Sequence, residues 1–101
     1  MNVDVGPGYL SEVRDILKRN VPDITVWVFG SRVMGRAKRF SDLDLALVSH
    51  RPLPKETLWK LQESFSDSEL PFRVDVVDLA SVSGEFRSAV EKNHSVLQNP
   101  D

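Results

Sequence analysis

Residues 24–49 read ITVWVFGSRVMGRAKRFSDLDLALVS, and this stretch determines the fold that we predict. Its first part, residues 24–29, is β-branched and aromatic throughout, which is typical of a strand covered on both faces. Its last part, residues 42–49, alternates strictly, so that three leucines face one way while Asp42 and Asp44 face the other. The stretch therefore predicts two strands of one sheet, the second of them half buried.

Helical and strand-like patterns alternate around this stretch. Apolar residues recur at helical spacing over residues 9–21 and again after Pro54, and we expect a short helix to begin near Ser31. A third strand is predicted at residues 72–77, and helical spacing returns over residues 83–97. The predicted class is α/β (α+β), a small mixed sheet with helices packed on one face and the aspartate-bearing face open.

Length and composition exclude several classes of protein. The 101 residues fit a single domain, residues 1–101, with an ordered core at about residues 9–97. The absence of cysteine excludes a disulfide scaffold, a zinc finger and a thiol nucleophile. We expect no signal peptide and no membrane span, and hence a cytoplasmic location. A net charge of −2 argues against direct binding of nucleic acid.

Three acidic residues are candidates for a metal site. Asp42 and Asp44 point to the same side of one strand, and Asp75 lies in the middle of the next predicted strand. If those strands are neighbours, like charges about 5–6 Å apart repel by roughly 3 kcal/mol per pair at an effective dielectric constant of 20. Divalent cations such as Mg²⁺ remove that conflict. Taken singly, each aspartate has a simpler explanation: a turn cap, a solvated group, or a partner of Arg73.

A glycine and a serine at the end of the first strand are candidates for binding phosphate. Gly30 lets an anion approach the backbone, and the Ser31 hydroxyl donates a hydrogen bond at the predicted start of a helix. Arg32 and Arg36 are one helical turn apart, so they can reach the same anion. The alternative is an ordinary strand-to-helix turn with Ser31 as its N-cap, followed by a solvated basic loop.

Other polar and aromatic residues have structural explanations. We expect His50 and His94 to be surface groups and Asp78 to cap a helix or turn. Trp27 is predicted to belong to the core, whereas Trp59, on the helix after Pro54, suits a rim or a partner surface.

The combination of Gly30-Ser31, Asp42, Asp44 and Asp75 resembles the nucleotidyltransferase superfamily that contains the DNA polymerase β palm. More narrowly, the string GSRVMGRAKRFSDLDLALV resembles the minimal nucleotidyltransferases of prokaryotes, the MNT proteins. The resemblance implies a polymerase β palm-like fold in which the glycine and the serine hold the β and γ phosphates. It also implies that Asp42 and Asp44 bridge two Mg²⁺ ions, and that Asp75 binds the ion that activates the attacking hydroxyl.

The resemblance further implies a reaction and a partner. ATP would be the donor, AMP the transferred group and pyrophosphate the leaving group. The acceptor would be a tyrosine hydroxyl on a HEPN-family toxin, with which MNT antitoxins form hetero-oligomers. Two alternatives stay open. One is a non-catalytic nucleotide-binding module that neutralises its partner by direct binding. The other is transfer to RNA or a small molecule, against which the lack of an acceptor-binding domain argues.

Overall fold

The computed structural model describes residues 5–33, 35 and 41–100. Three helices and four strands follow one another as α1 (Pro7–Asn20), β1 (Thr25–Phe29), β2 (Leu43–Val48), α2 (Lys55–Ser66), β3 (Val74–Asp78), α3 (Gly84–Lys92) and β4 (His94–Gln98). The strands form one sheet in the order β3-β2-β1-β4, in which β2 and β3 are parallel and the other two pairs antiparallel. The predicted mixed sheet is confirmed. None of the helices in the described ranges is long and apolar enough to cross a membrane.

The main core lies between one face of the sheet and the helices α1 and α2. Leu43, Leu45 and Leu47 of β2 are fully buried, as their alternation with the aspartates predicts. They pack with apolar side chains of both helices, namely Val13, Ile16, Leu17, Leu61 and Phe65. Each buried side chain of this size stabilises the fold by about 1.5–3 kcal/mol relative to an exposed one. This burial fixes which face of β2 turns toward solvent, and Asp44 lies on that other face.

The opposite face is partly covered by α3, although we predicted it to be open. Val90 is the one buried residue of this short helix. It packs with Ala46 of β2 and with Leu79, and Trp27 and Phe29 of β1 lie against the same small cluster. The prediction of helices on one face therefore holds for α1 and α2, whereas α3 adds a second, smaller contact on the face that carries Asp44.

The predicted helix over residues 83–97 was wrong in its second half. The chain leaves α3 and forms β4, which pairs antiparallel with β1. Leu97 faces the main core, and the Gln98 side chain donates to the backbone oxygens of Val21 and Ile24 at 2.8 Å each. Pairing with the edge of β1 decides this conformation, and local spacing carries no sign of such a partner.

The predicted role of Asp78 is confirmed, and that of His94 is corrected. Asp78 is buried and caps a turn, since its carboxylate accepts hydrogen bonds from the backbone N–H groups of Leu53 at 2.8 Å and Ala80 at 3.0 Å. His94 is not a free surface group, because its ring stacks on Trp27 at a centroid distance of 3.9 Å. The indole of Trp27 is accordingly half buried between β4 and the α3 side of the sheet.

Candidate active site

The three aspartates predicted as metal ligands lie together at one end of β2 and β3. Asp44 and Asp75 are direct partners in the parallel register of these strands. Asp42 lies just before β2, and its carboxylate approaches Arg73, with 3.4 Å between Arg73 Nη2 and Asp42 Oδ2. The same nitrogen donates to Asp75 Oδ2 at 2.9 Å. One guanidinium therefore joins Asp42 to Asp75, beside the carboxylate of Asp44.

The electrostatics of this cluster show more negative than positive charge. Burial raises the pKa of the Asp44 carboxyl, the charges of Asp75 and Asp42 raise it further, and Arg73 opposes them. The pKa of Arg73 is raised by its hydrogen bond to Asp75 and by the charges of Asp75 and Asp42. Three carboxylates facing one guanidinium leave an excess of negative charge, which a divalent cation would relieve.

The donor atoms suit magnesium, but they are not preassembled around one point. Within residues 5–33, 35 and 41–100, no three acidic or histidine side chains meet in a set that could hold a metal ion as they are placed. The guanidinium of Arg73 occupies one oxygen each of Asp42 and Asp75. The chemistry of three carboxylate oxygens at one sheet end therefore fits Mg²⁺, provided that the Arg73 side chain moves away. The ion pair of Asp75 with Arg73, which we weighed as an alternative, is present as well.

Gly30 lies directly against the acid cluster. Its φ of +80° belongs to the left-handed region, which favours glycine. A Cβ atom placed on Gly30 would collide with Oδ2 of Asp44, so a side chain here needs the carboxylate to move. The half-buried Ser31 follows in the same turn, which the Val33 N–H closes by donating to the Gly30 oxygen at 3.1 Å. The predicted phosphate-binding turn and the acid cluster are thus in contact.

The helix expected to begin near Ser31 is not found in the described residues 31–33, which form a turn. Residues 31–33 therefore provide no helix dipole that would attract an anion. The close approach of an anion to the glycine backbone does not depend on the helix. Arg36, predicted to bind the same anion, lies outside the described residues, as do Lys38 and Arg39.

Arg32 is placed for a structural role. Its side chain is buried, and its Nε and Nη2 donate to the backbone oxygen of Ser41 at 3.0 and 2.6 Å. The guanidinium carbon lies 4.5 Å from the centre of the Phe72 ring, in a cation–π contact. Arg32 thus joins the turn after β1 to the residue before Asp42. Its binding of nucleotide stays a prediction.

A cavity that the sequence patterns do not predict lies beside Gly30. It has a volume of about 240 Å³ and is lined by Phe29, Gly30, Phe86, Ala89, Val90 and Asn93. The Phe29 and Phe86 rings meet edge to face, with centroids 5.7 Å apart. The apolar spacing of α3 was visible in the sequence, but the face of the sheet that α3 covers was not. The cavity is bounded by the same glycine that touches Asp44.

Comparison with known proteins defines the class first. The family described as polymerase beta, nucleotidyltransferase, matches residues 11–101 of the chain. This match covers every strand that bears the acid cluster and the glycine turn. The chain belongs to the polymerase β nucleotidyltransferase family, and the resemblance predicted from its sequence is confirmed.

Two relatives of known name narrow the class to protein adenylyltransferases as the proteins that this chain is similar to. The chain is 46% identical over 99 residues to a protein of Haemophilus influenzae named probable protein adenylyltransferase MntA, covering 98% of this chain and 87% of that protein. It is 32% identical over 74 residues to the protein adenylyltransferase MntA of Shewanella oneidensis, covering 72% of this chain and 52% of that protein.

Solved structures agree with these relatives. A crystal structure of a toxin–antitoxin with AMP-PNP superposes with a TM-score of 0.75 at 28% identity, covering 91% of this chain and 74% of that one. A structure of a tri-AMPylated Shewanella oneidensis HEPN toxin in complex with its MNT antitoxin superposes with a TM-score of 0.65 at 26% identity, covering 89% and 69%.

Proposed function

We propose that this protein is a protein adenylyltransferase that transfers AMP from ATP to a tyrosine hydroxyl of a partner HEPN toxin, and that it acts as the antitoxin. The observation that carries the proposal is the contact of the Gly30 turn with Asp44, next to Asp75 and Asp42. Family membership supplies the nucleotidyl transfer, and the names of the relatives supply the protein acceptor. Because ATP is the donor, we place the reaction in the cytoplasm.

Three aspartates are the proposed metal ligands. Asp42, Asp44 and Asp75 would hold two Mg²⁺ ions once Arg73 has moved from their oxygens. Bound there, such ions would neutralise charge on the phosphates and would lower the pKa of the attacking hydroxyl. The chain itself contributes position, since Asp44 and Asp75 are fixed by the register of two paired strands.

The Gly30 turn is the proposed site of the β and γ phosphates. Gly30 has no side chain between its backbone and Asp44, so the phosphate chain can lie close to both. Ser31 would donate its hydroxyl to the same phosphates, with Arg32 and Arg36 as the basic residues of the segment. Phosphoryl-type transfer depends on position and charge more than on covalent participation.

In-line displacement requires the leaving group and the attacking hydroxyl to lie on opposite sides of the α phosphorus. The leaving pyrophosphate lies at the Gly30 turn, so the acceptor hydroxyl approaches from the opposite side of the α phosphorus, next to Asp75. β3 is an edge strand of the sheet, which leaves that side open to a second protein. A tyrosine presented by a partner can therefore reach the site from the edge that β3 forms.

A direct test uses the HEPN-family protein that we propose as the partner of this chain. We expect the partner to become labelled when both proteins are incubated with Mg²⁺ and ATP labelled at the α phosphate. Asp44→Asn should abolish the label, whereas Asp67→Asn, at an exposed position after α2, should not. An unlabelled partner, or undiminished label with Asp44→Asn, would contradict the proposal.

The second candidate is neutralisation of the partner by binding alone. One observation favours it: Arg73 already pairs with Asp42 and Asp75, so these acids have a structural use. The double variant Asp42→Asn, Asp44→Asn separates the two functions in cells that express the toxin. Survival with this variant supports binding alone, and loss of protection supports transfer.

A further inference from the structure

A row of side chains crosses the sheet at the level of Asp44. Asp75, Asp44, Phe29 and His94 are consecutive register partners on β3, β2, β1 and β4. Partners in register project from the same face of a sheet, with Cβ atoms about 4.5–5.5 Å apart in antiparallel pairs. Phe29 therefore borders the Asp44 carboxylate on the side away from Asp75, and an aromatic surface begins where the acid cluster ends.

The cavity next to Gly30 is built on this aromatic surface. Phe86, from α3, places its ring at 89° to that of Phe29, and its side chain remains 40% exposed. Ala89 and Val90 complete an apolar lining, and Asn93 adds one carboxamide. Apolar walls with a single donor and acceptor suit a planar aromatic ring that has a hydrogen-bonding edge.

The proposed reaction involves two aromatic groups that are candidates for this cavity, the acceptor tyrosine and the base of the donor nucleotide. The direction of in-line attack distinguishes between them. An acceptor tyrosine must approach the α phosphorus opposite the leaving pyrophosphate, hence from the Asp75 side. The cavity instead includes Gly30, on the side of the pyrophosphate. The base of the donor is joined to the α phosphate through the ribose, so it is not bound by that restriction.

We infer that the cavity lined by Phe29, Phe86 and Asn93 receives the adenine base of the donor nucleotide. Phe86 stacks on the base, and the carboxamide of Asn93 pairs with its N6 and N7 edge, a pairing that favours adenine. This inference rests on the proposed function and adds the residues that select the nucleotide.

Binding of two ligands to the full chain in Mg²⁺ tests the inference without any turnover. The ligands are AMP-PNP, which carries the base, and inorganic tripolyphosphate, which lacks it. Phe86→Ala should weaken AMP-PNP binding about 5- to 50-fold and leave tripolyphosphate binding unchanged. Phe86→Leu keeps an apolar side chain on α3 but removes the ring, and should weaken AMP-PNP binding as well. Trp59→Ala, at a side chain of α2 that is 64% exposed, should change neither ligand.

Selectivity gives a second readout. Asn93→Ala should lower the ratio of ATP to GTP affinity about 5- to 50-fold, with tripolyphosphate again unaffected. Equal binding of both ligands to the unmodified chain, or a Phe86→Ala effect of the same size on both, would overturn the inference and leave the proposed function intact. If neither ligand binds the unmodified chain, the inference and the proposed function fall together.

Discussion

Asp44 on β2 and Asp75 on β3 are direct partners in a parallel register, so two carboxylates lie side by side across neighbouring strands. The pairing places like charges together on a half-buried surface, and the pKa of Asp44 is raised as a result of burial and of this neighbour. Such an arrangement lowers stability, and its persistence is expected where a bound cation offsets it.

Removing the charge of Asp44 should therefore stabilise the metal-free protein while abolishing transfer. We expect Asp44→Asn to raise the thermal midpoint at pH 7 by about 2–5 °C, which corresponds to less than about 1 kcal/mol for a domain of this size. Differential scanning calorimetry in the presence of a chelator measures this shift. A lower midpoint for Asp44→Asn would contradict the electrostatic reading of the cluster.

The stabilisation by Asp44→Asn should decrease as the pH is lowered. The folded-state pKa of Asp44 is raised above its ordinary value of 3.8, so the folded protein holds this proton more tightly than the unfolded chain. The charged Asp44 carboxylate destabilises the folded protein fully at pH values above the raised pKa, and this effect disappears as the pH falls toward 3.8. The difference in thermal midpoint between Asp44→Asn and the unmodified protein should thus shrink from pH 7 toward pH 4. A difference that grows on acidification would show the opposite sign of shift.

Arg73 should compete with the metal for Asp42 and Asp75. Because its guanidinium contacts both carboxylates, Arg73→Gln should tighten Mn²⁺ binding in the absence of nucleotide by about 3- to 10-fold. Titration calorimetry or electron paramagnetic resonance measures the affinity. Arg87→Gln removes an equal charge from an exposed ion pair with Glu91 on α3 and is the matched control. Equal affinities for the two variants would show that Arg73 does not restrain the ligands.

Gly30→Ala should damage the site far more than the same change at Gly35. Both glycines have positive φ, +80° and +74°, so alanine strains both backbones similarly. At Gly30 the added Cβ would collide with Asp44, whereas among the described residues nothing lies within 4 Å of the corresponding position at Gly35. We expect Gly30→Ala to abolish transfer and Gly35→Ala to retain it, with stability losses of about 1 kcal/mol or more at each site.

A double variant isolates the collision. Asp44→Ala removes the atom that the new Cβ would meet, so the two changes should be non-additive in the free energy of unfolding. Additive losses, measured by urea unfolding, would mean that Gly30 is needed for its backbone conformation alone.

Asp78 should matter for stability and not for metal binding. Its buried carboxylate accepts hydrogen bonds from two backbone N–H groups, those of Leu53 and Ala80. Asp78→Ala leaves both donors without that partner and should cost about 1.5–3 kcal/mol in the free energy of unfolding. Mn²⁺ affinity, measured on the same samples at a temperature where both proteins are folded, should be unchanged. A marked loss of affinity would place Asp78 among the metal ligands.

The part of the fold that could be predicted is the part that local burial dictates. Leu43, Leu45 and Leu47 alternate with polar residues because one face of β2 packs on helices, and that pattern survives in the sequence. β4 could not be predicted, since its partner is the edge of β1, far away along the chain. The same limit applies to α3, whose short apolar stripe gives no indication of the face that it covers.

Some features of the candidate site were likewise predictable from the sequence, and others were not. The neighbouring positions of Asp44 and Asp75 followed from the assumption of adjacent strands, and the register bears out that assumption. The collision of a Gly30 Cβ with Asp44 depends on the antiparallel pairing of β1 with β2, which no spacing rule supplies. Arg32 is a residue type that commonly binds phosphate. Its contacts with Phe72 and Ser41 nevertheless give it a structural role, which only the tertiary structure shows.

The two halves of the site are made by separate lengths of chain. The segment from Asp42 through β2 and α2 to β3 is one crossover unit that carries all three aspartates, whereas the glycine turn follows β1. Substitutions in β4, which pairs with β1, should accordingly weaken binding of the triphosphate and leave the spacing of the three aspartates unchanged. The pairing of β1 with β2, where Phe29 meets Asp44, passes a change in either half to the other, and the bonds from Arg32 to Ser41 make a second connection between the two halves.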